Sequence, residues 1–289
     1  MLPIKELIED HISVPSIRHE LENKSGIIRF NTRQDFGSSE KAAEWFLGFC
    51  KEIGTPVSQS PEGDLVLSIQ NKSFGENDPR TRGPNTNKKL SFHSDRCDAI
   101  AFLCLKPAKT GGENQVIDSR KIEKIIQSEK PDLHKTLKEK FPHKRHIVDQ
   151  GNQLPYVMQP IFSESGGYFA CSYLRVLIDR ADQDETCPSL SKLQKEAIDF
   201  LDQVCERREL QTKFTMQRGD ILLLNNWILL HRRTAFEDFS DPSMKRHLLR
   251  IWLSMPNSRP IDQSFEDNFG STKAGAVRGG MKMHSKFQK

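Results

Sequence analysis

The sequence predicts an α+β protein built around a jelly-roll core, with inserted and flanking helices. Three observations carry that expectation. Short β-rich runs recur along most of the chain. Amphipathic helical stretches fall between them without strict strand–helix alternation, the pattern of helices added to a sheet sandwich. No internal repeat or low-complexity linker divides the 289 residues, so a single domain over residues 1–289 is expected.

The elements follow in order. Ser38-Ser39 followed by EKAAEWFLGFCKEIG reads as a capped helix that stops at Gly54, with Pro56 beyond it. DLVLSI, from Asp64 to Ile69, alternates like a strand. Residues Asn71 to Lys89 (NKSFGENDPRTRGPNTNKK) have no periodicity, and a polar run of that length reads as a lid over an active site. AIAFLCLKP, from Ala99 to Pro107, is a buried strand, and TGGENQVIDS adds a Gly-Gly turn and a second strand. SRKIEKIIQSEK and PDLHKTLKEKF read as surface helices. YVMQPIFSESGGYFACSYLR is a hairpin about a Ser-Gly-Gly turn, which puts Arg175 on a strand. Leu190, Leu193, Ala197, Phe200, Leu201 and Val204 mark one face of a long helix. KFTMQRGDILLLNNWILLH and RHLLRIWLSM supply the closing strands.

Composition narrows the function. A net charge of +4 and a pI near 8.7 are too weak to imply nucleic acid. The densest basic stretch, His134 to His146 (HKTLKEKFPHKRH), includes Glu139 and reads as a solvated helix face with its exit loop. No apolar run approaches the ~18 residues that span a bilayer, and MLPIKELIEDHISV lacks the features of a signal peptide. Six cysteines without any C-x-x-C pair read as reduced thiols of a cytoplasmic enzyme. The expected partner is a small-molecule substrate, with no nucleic acid and no membrane.

Phe92-His93-Ser94-Asp95 places an imidazole and a carboxylate two residues apart, just before a buried strand. In extended chain, residues i and i+2 point to the same side, so His93 and Asp95 can converge on one ion. Two histidines and one carboxylate form the open face of non-haem iron(II) sites. Of the nine histidines, His11, His19, His143, His146 and His284 lie in polar stretches without a sheet pattern, and His134 lies on a helix. His231 differs, because it ends the apolar run ILLLNNWILLH. Downstream, Arg246 and Arg250 in KRHLLRIWL share one strand face with Leu248, while His247, Leu249 and Ile251 take the other. Such a pair is either a solvated face or, if buried, a receptor for carboxylates, which guanidinium binds in a bidentate fork.

FHSD, TGGEN, GDILLLNNWILLHRRTAF and the R-x-x-x-R of KRHLLRIWL resemble, in that order, the taurine dioxygenase and clavaminate synthase-like oxygenases. The likeness runs from about Gly26 to the GAVRGG segment. It implies a distorted double-stranded β-helix, with His93, Asp95 and His231 as ligands of Fe(II). It implies that Arg246 pairs with the far carboxylate of 2-oxoglutarate and that Arg250 faces the prime substrate. Asn114 stands where the family often has a threonine touching 2-oxoglutarate, and its amide can donate a similar hydrogen bond. The implied reaction consumes O2, converts 2-oxoglutarate to succinate and CO2, and hydroxylates an unactivated C–H bond. The substrate is a small polar or acidic molecule, either a free or carrier-linked amino acid or a taurine-type sulfonate. Residues 71–89 and Arg175 are specificity candidates, with a surface strand arginine as the plainer reading of Arg175. A zinc hydrolase on the same ligands, or a binding protein of this fold without catalysis, are the competing readings.

Overall fold

The structure is a computed structural model, and it describes residues 2–6, 13–72, 83–145 and 154–282. Capping serines start the helices that the sequence marks. Ser13 caps α1 (Val14–Asn23) and Ser38 caps α2 (Ser39–Ile53), which stops at Gly54. Around them run β1 (Lys5–Glu6), β2 (Ile27–Asn31), β3 (Thr55–Val57) and β4 (Leu67–Ile69). Next come β5 (Ala99–Lys106), β6 (Thr110–Gly111) and β7 (Asn114–Asp118), then helices α3 (Ser119–Glu129) and α4 (Pro131–Leu137). Strands β8 (Phe141–Lys144), β9 (Tyr156–Gln159), β10 (Phe162–Ser165) and β11 (Tyr168–Cys171) lead to α5 (Arg175–Asp182) and α6 (Lys192–Cys205). The chain closes with β12 (Thr212–Phe214), β13 (Asp220–Asn225), β14 (Leu229–Arg233), β15 (Phe236–Glu237), β16 (His247–Ser254) and α7 (Glu266–Phe269).

The result is a mixed α/β architecture with largely antiparallel sheets. The main sheet has the order β1-β2-β13-β5-β16-β3, and β4 also pairs with β16. A second sheet has the order β12-β7-β14. Its edge is continued by the His-x-Asp segment, because His93 bridges to His231 on one side and to Leu174 on the other. Further back along the same edge, Leu90 N–H donates to Arg233 O (3.0 Å) and Phe236 N–H to Asn87 O (3.1 Å).

Strand parity sorts the apolar residues into layers. On β13, Leu222 and Leu224 enter the core between the sheets, whereas Ile221 and Leu223 meet α1 and α2. On β16, Leu248 and Trp252 point inward while Leu249, Ile251 and Leu253 point to those helices. With both faces covered, such strands read as unbroken apolar runs such as ILLL. Helices α3 to α6 cover the outside of the second sheet through Ile122, Leu137, Ile178 and Leu201.

Several expectations change. The strand expected over 64–69 is only Leu67–Ile69. Leu193 is 45% exposed, and Ile198 takes its place on the buried face of α6. The hairpin is confined to β10–β11, turning through Gly166 and Gly167 at φ 57° and 80°, a conformation that favours glycine. Tyr156–Gln159 pairs instead with β8. The stretch expected as a helix exit loop therefore contains a strand, because Phe141 is fully buried in the core under α3–α6. His134 is buried against Glu123 at 2.7 Å. Arg175 is not on a strand: it is the first residue of α5. Of the expected lid, residues 73–82 lie outside the described residues.

Asp98, three residues beyond Asp95, anchors this region in the core. It accepts from Arg278 Nε (2.6 Å), Trp227 Nε1 (2.8 Å) and the Met255 amide (2.8 Å). The side chains of Arg278 and Asp98 are 0% and 2% exposed. Breaking one side of such a buried pair leaves a charge uncompensated. Arg278→Ala is expected to cost about 3–5 kcal/mol, read from denaturant unfolding of variant and wild type. A loss of under ~1 kcal/mol would place this pair among weak surface bridges.

Candidate active site

The second-sheet edge builds the site. His93 N–H donates to His231 O (3.0 Å) and His231 N–H to His93 O (2.9 Å), which locks the two backbones together. Their rings lie 4.5 Å apart between centroids. His231 Nε2 is 3.6 Å from Asp95 Oδ2. The ligand-capable atoms of His93, Asp95 and His231 all fall within 4.8 Å of one another. Sequence parity thus delivers His93 and Asp95 to one side, and the ladder brings His231 to them.

Electrostatics set the charge states of these groups. The His93 ring approaches Ser91 O through Nδ1 (2.9 Å); a carbonyl can only accept, so Nδ1 donates, which leaves Nε2 as the ring nitrogen that could bind a metal. Burial, then His93 and Arg250, hold the His231 pKa down to about 3 against the pull of Asp95. His231 is therefore neutral near pH 7. Burial would raise the Asp95 carboxyl, but Arg250, His93, His231 and the Trp252 indole together lower it. Asp95 Oδ2 and His231 Nδ1 are buried and have no hydrogen-bond partner among the described residues. A dry set of two imidazoles and one carboxylate with unmet acceptors fits a first-row divalent ion.

Strand β16 supplies the facing wall of a cavity of about 380 Å³. Arg246, Leu248, Arg250 and Trp252 all line it, so the expected parity of the arginine pair holds and both are buried. The Arg246 guanidinium lies 5.0 Å over the Phe236 ring and has no hydrogen-bond partner among the described residues. Burial lowers its pKa to about 10, offset in part by Cys104 and Asp238, so it stays cationic. Arg250 donates from Nε to Gln59 Oε1 (2.7 Å), and its Nη1 lies 3.6 Å from Asp95 Oδ1. His247 points away and bonds Ser68 Oγ at 2.8 Å. Asn114 lines the cavity from the start of β7. Arg175 reaches the lining as well, yet its guanidinium is held by Asp179 (2.7 Å), Asp199 (2.8 Å) and Asp202 (3.0 Å).

Three of the lining residues that were not foreseen stand out. Gln59 is one, and nothing in the sequence links it to Arg250. Arg233 is another: it donates to Thr86 O (2.8 Å) and Thr234 O (3.0 Å) and lies 4.6 Å over the face of Phe236. Burial, then Arg246 nearby, push its pKa down to about 9. Its signal was present in HRRTAF, two residues after His231. The third is His143, expected in a polar loop and found buried on β8. Among the described lining residues nine are lysine or arginine and one, Asp95, is acidic.

Comparison with known proteins agrees with this geometry. The profile of the family described as "Taurine catabolism dioxygenase TauD, TfdA family" matches residues 9–252. FR-33289 synthase of Streptomyces rubellomurinus is 32% identical over 230 residues, which is 78% of this chain and 67% of that protein. The taurine hydroxylase-like protein SAT17 of Stachybotrys chartarum is 28% identical over 65% of this chain, and only 51% of its own length is covered. The fold is that of asparagine oxygenase, solved with Fe(II), 3-hydroxyasparagine and succinate. That structure superposes with a TM-score of 0.64 at 16% identity, over 83% of this chain and 77% of its own. Among the described residues no helix is long and apolar enough to cross a membrane. The profile spans most of the chain: the protein belongs to the TauD, TfdA dioxygenase family, and it is an iron- and 2-oxoglutarate-dependent oxygenase.

Proposed function

We propose that the protein hydroxylates an unactivated C–H bond of a small acidic, amino-acid-like molecule, with His93, Asp95 and His231 holding the iron. The observation that carries this reading is the three-donor cluster, with His231 buried and His93 and Asp95 half-buried, which shares one cavity with Arg246. When bound, iron and 2-oxoglutarate supply oxidising power: O2 is consumed, one oxygen atom enters succinate as CO2 leaves, and the other enters the substrate. The protein's own residues do the rest. His231 stays neutral and Asp95 ionised, so both are available as ligands without prior proton loss. Arg246 takes the far carboxylate of 2-oxoglutarate in a bidentate fork. Asn114 offers its amide beside it. Arg250, fixed by Gln59, holds the acidic group of the substrate and so aims its carbon. Half-buried Phe102 and buried Leu248 and Trp252 limit water.

The excess of basic residues in the lining supports an anionic substrate. The asparagine oxygenase likeness supports an amino acid, and the SAT17 likeness keeps a sulfonate as the second reading. Arg175, saturated by three carboxylates, is better read as a structural arginine than as a substrate contact. The two facing sheets support a double-stranded β-helix within one domain, with Gly83 and Lys89 from the far end of segment 71–89 bordering the cavity. Six free, buried thiols support a reducing, cytoplasmic setting. The test is aerobic succinate formation by iron-loaded protein with 2-oxoglutarate, screened over amino acids and sulfonates, with oxygen uptake recorded in parallel. A product carrying one added oxygen from an amino acid is expected. Stimulation by sulfonates alone would move the assignment to them, and no stimulation by any acid would point to a binding protein without catalysis.

A further inference from the structure

Four buried side-chain atoms among the described lining residues lack a hydrogen-bond partner: Asp95 Oδ2, His231 Nδ1, Trp252 Nε1 and His143 Nε2. The first two belong to the metal cluster, and the Trp252 indole acts on Asp95. His143 stands apart from all of them, on β8. Its Nδ1 lies 3.1 Å from Phe141 O, so Nδ1 carries the hydrogen and the neutral ring presents a bare lone pair at Nε2. Burial keeps the ring neutral by pushing its pKa down to about 4.

Three amide acceptors of the lining are already engaged. Gln59 Oε1 accepts from Arg250, Gln159 Oε1 from Asn268, and Asn268 Oδ1 from Arg96. The neighbouring Lys144 is turned to Asp184, and Arg145 donates to Leu154 O at 3.2 Å. A cavity so rich in donors has therefore left one buried acceptor unclaimed by any of them. An unmet buried acceptor is costly, and a ligand that meets it gains the difference.

We infer that His143 is a specificity-determining residue, whose Nε2 accepts a hydrogen bond from an N–H of the substrate, the ammonium of an amino-acid-like molecule. Together with Arg250 it makes a two-point reader, an anion receptor and an N–H acceptor, which a sulfonate or carboxylate lacking an amine cannot satisfy. This rests on the amino-acid reading of the function.

The experiment uses the iron-loaded full chain and a panel of free amino acids, each paired with its analogue lacking the amine. Succinate formation is measured for wild type, His143→Leu and His143→Gln, and the imidazole nitrogen resonances are recorded in 15N-histidine-labelled protein. For the amino acid that drives turnover, His143→Leu is expected to raise KM about ten- to hundredfold, as the loss of one hydrogen bond to a charged group implies. The apparent constant for 2-oxoglutarate should not move, and the amine-free analogue should not distinguish wild type from variant. His143→Gln, which keeps an acceptor, should recover part of the loss and serves if the leucine variant misfolds. The Nε2 resonance should shift on substrate addition. If an amino acid drives turnover while KM and that resonance stay unchanged, the inference is overturned and the function stands. If no amino acid drives turnover but another acid does, the amino-acid reading falls and takes the inference with it.

Discussion

His231→Ala is expected to form no succinate above background, and His93→Ala and Asp95→Ala should behave alike. Anaerobic addition of Fe(II) and 2-oxoglutarate to wild type should give a weak visible charge-transfer band, as chelation on a three-ligand face permits. Each of the three variants should lose it. The physical reason is that the donor atoms lie within 4.8 Å of one another in a buried setting, with no fourth such group beside them among the described residues. In His231→Ala stability should fall little, because that side chain carries a buried atom with no partner among the described residues. A full band in His231→Ala would take that residue out of the ligand set.

The second large effect separates Arg246, just before β16, from Arg250 on that strand. Arg246→Ala is expected to weaken 2-oxoglutarate binding by about one to two orders of magnitude or more, since each charge-assisted hydrogen bond contributes roughly 1.5–3 kcal/mol. Arg246→Lys should rescue only part of that, offering a point charge in place of a planar fork. Arg250→Ala should leave 2-oxoglutarate affinity nearly intact and instead weaken substrate binding or uncouple succinate from product. The structure gives the asymmetry its basis: the Arg246 guanidinium has no hydrogen-bond partner among the described residues, whereas that of Arg250 is already tied to Gln59 and leans on Asp95. Anaerobic titration of 2-oxoglutarate into all three variants is the measurement. Loss of affinity in Arg250→Ala alone would reverse the two roles.

Much of this site could be read from local parity. His93 and Asp95 sit two apart before a strand, and Arg246 and Arg250 sit four apart across the start of one, so the local extended geometry fixes which side they face. The α2 caps were legible for the same reason: Ser38 and Gly54 act within one turn. What escaped depends on contacts far along the chain. Arg175 becomes a helix start bound by Asp199 and Asp202, which lie on α6. His143 is buried because β8 pairs with β9 beneath α5, and a four-residue strand of the text FPHK carries no alternation to announce it. Gln59 meets Arg250 across 191 positions. Pattern reading sees periods, and none of these three has one.

The edge that carries the metal cluster also works as a measuring device. Asn87, Leu90 and His93 are each fastened by backbone hydrogen bonds to the stretch from His231 to Phe236, which itself bears Arg233 beside Arg246. Side chains along extended chain alternate, so a shift of one residue anywhere between Leu90 and His93 would turn both His93 and Asp95 away from the cavity. Phe92 is also held by chemistry, buried in the core under the Arg232 guanidinium, but the count of residues matters as much as their identity. Spacing protects the three-donor face, and a single-residue insertion or deletion there is expected to scatter it without replacing any of its residues.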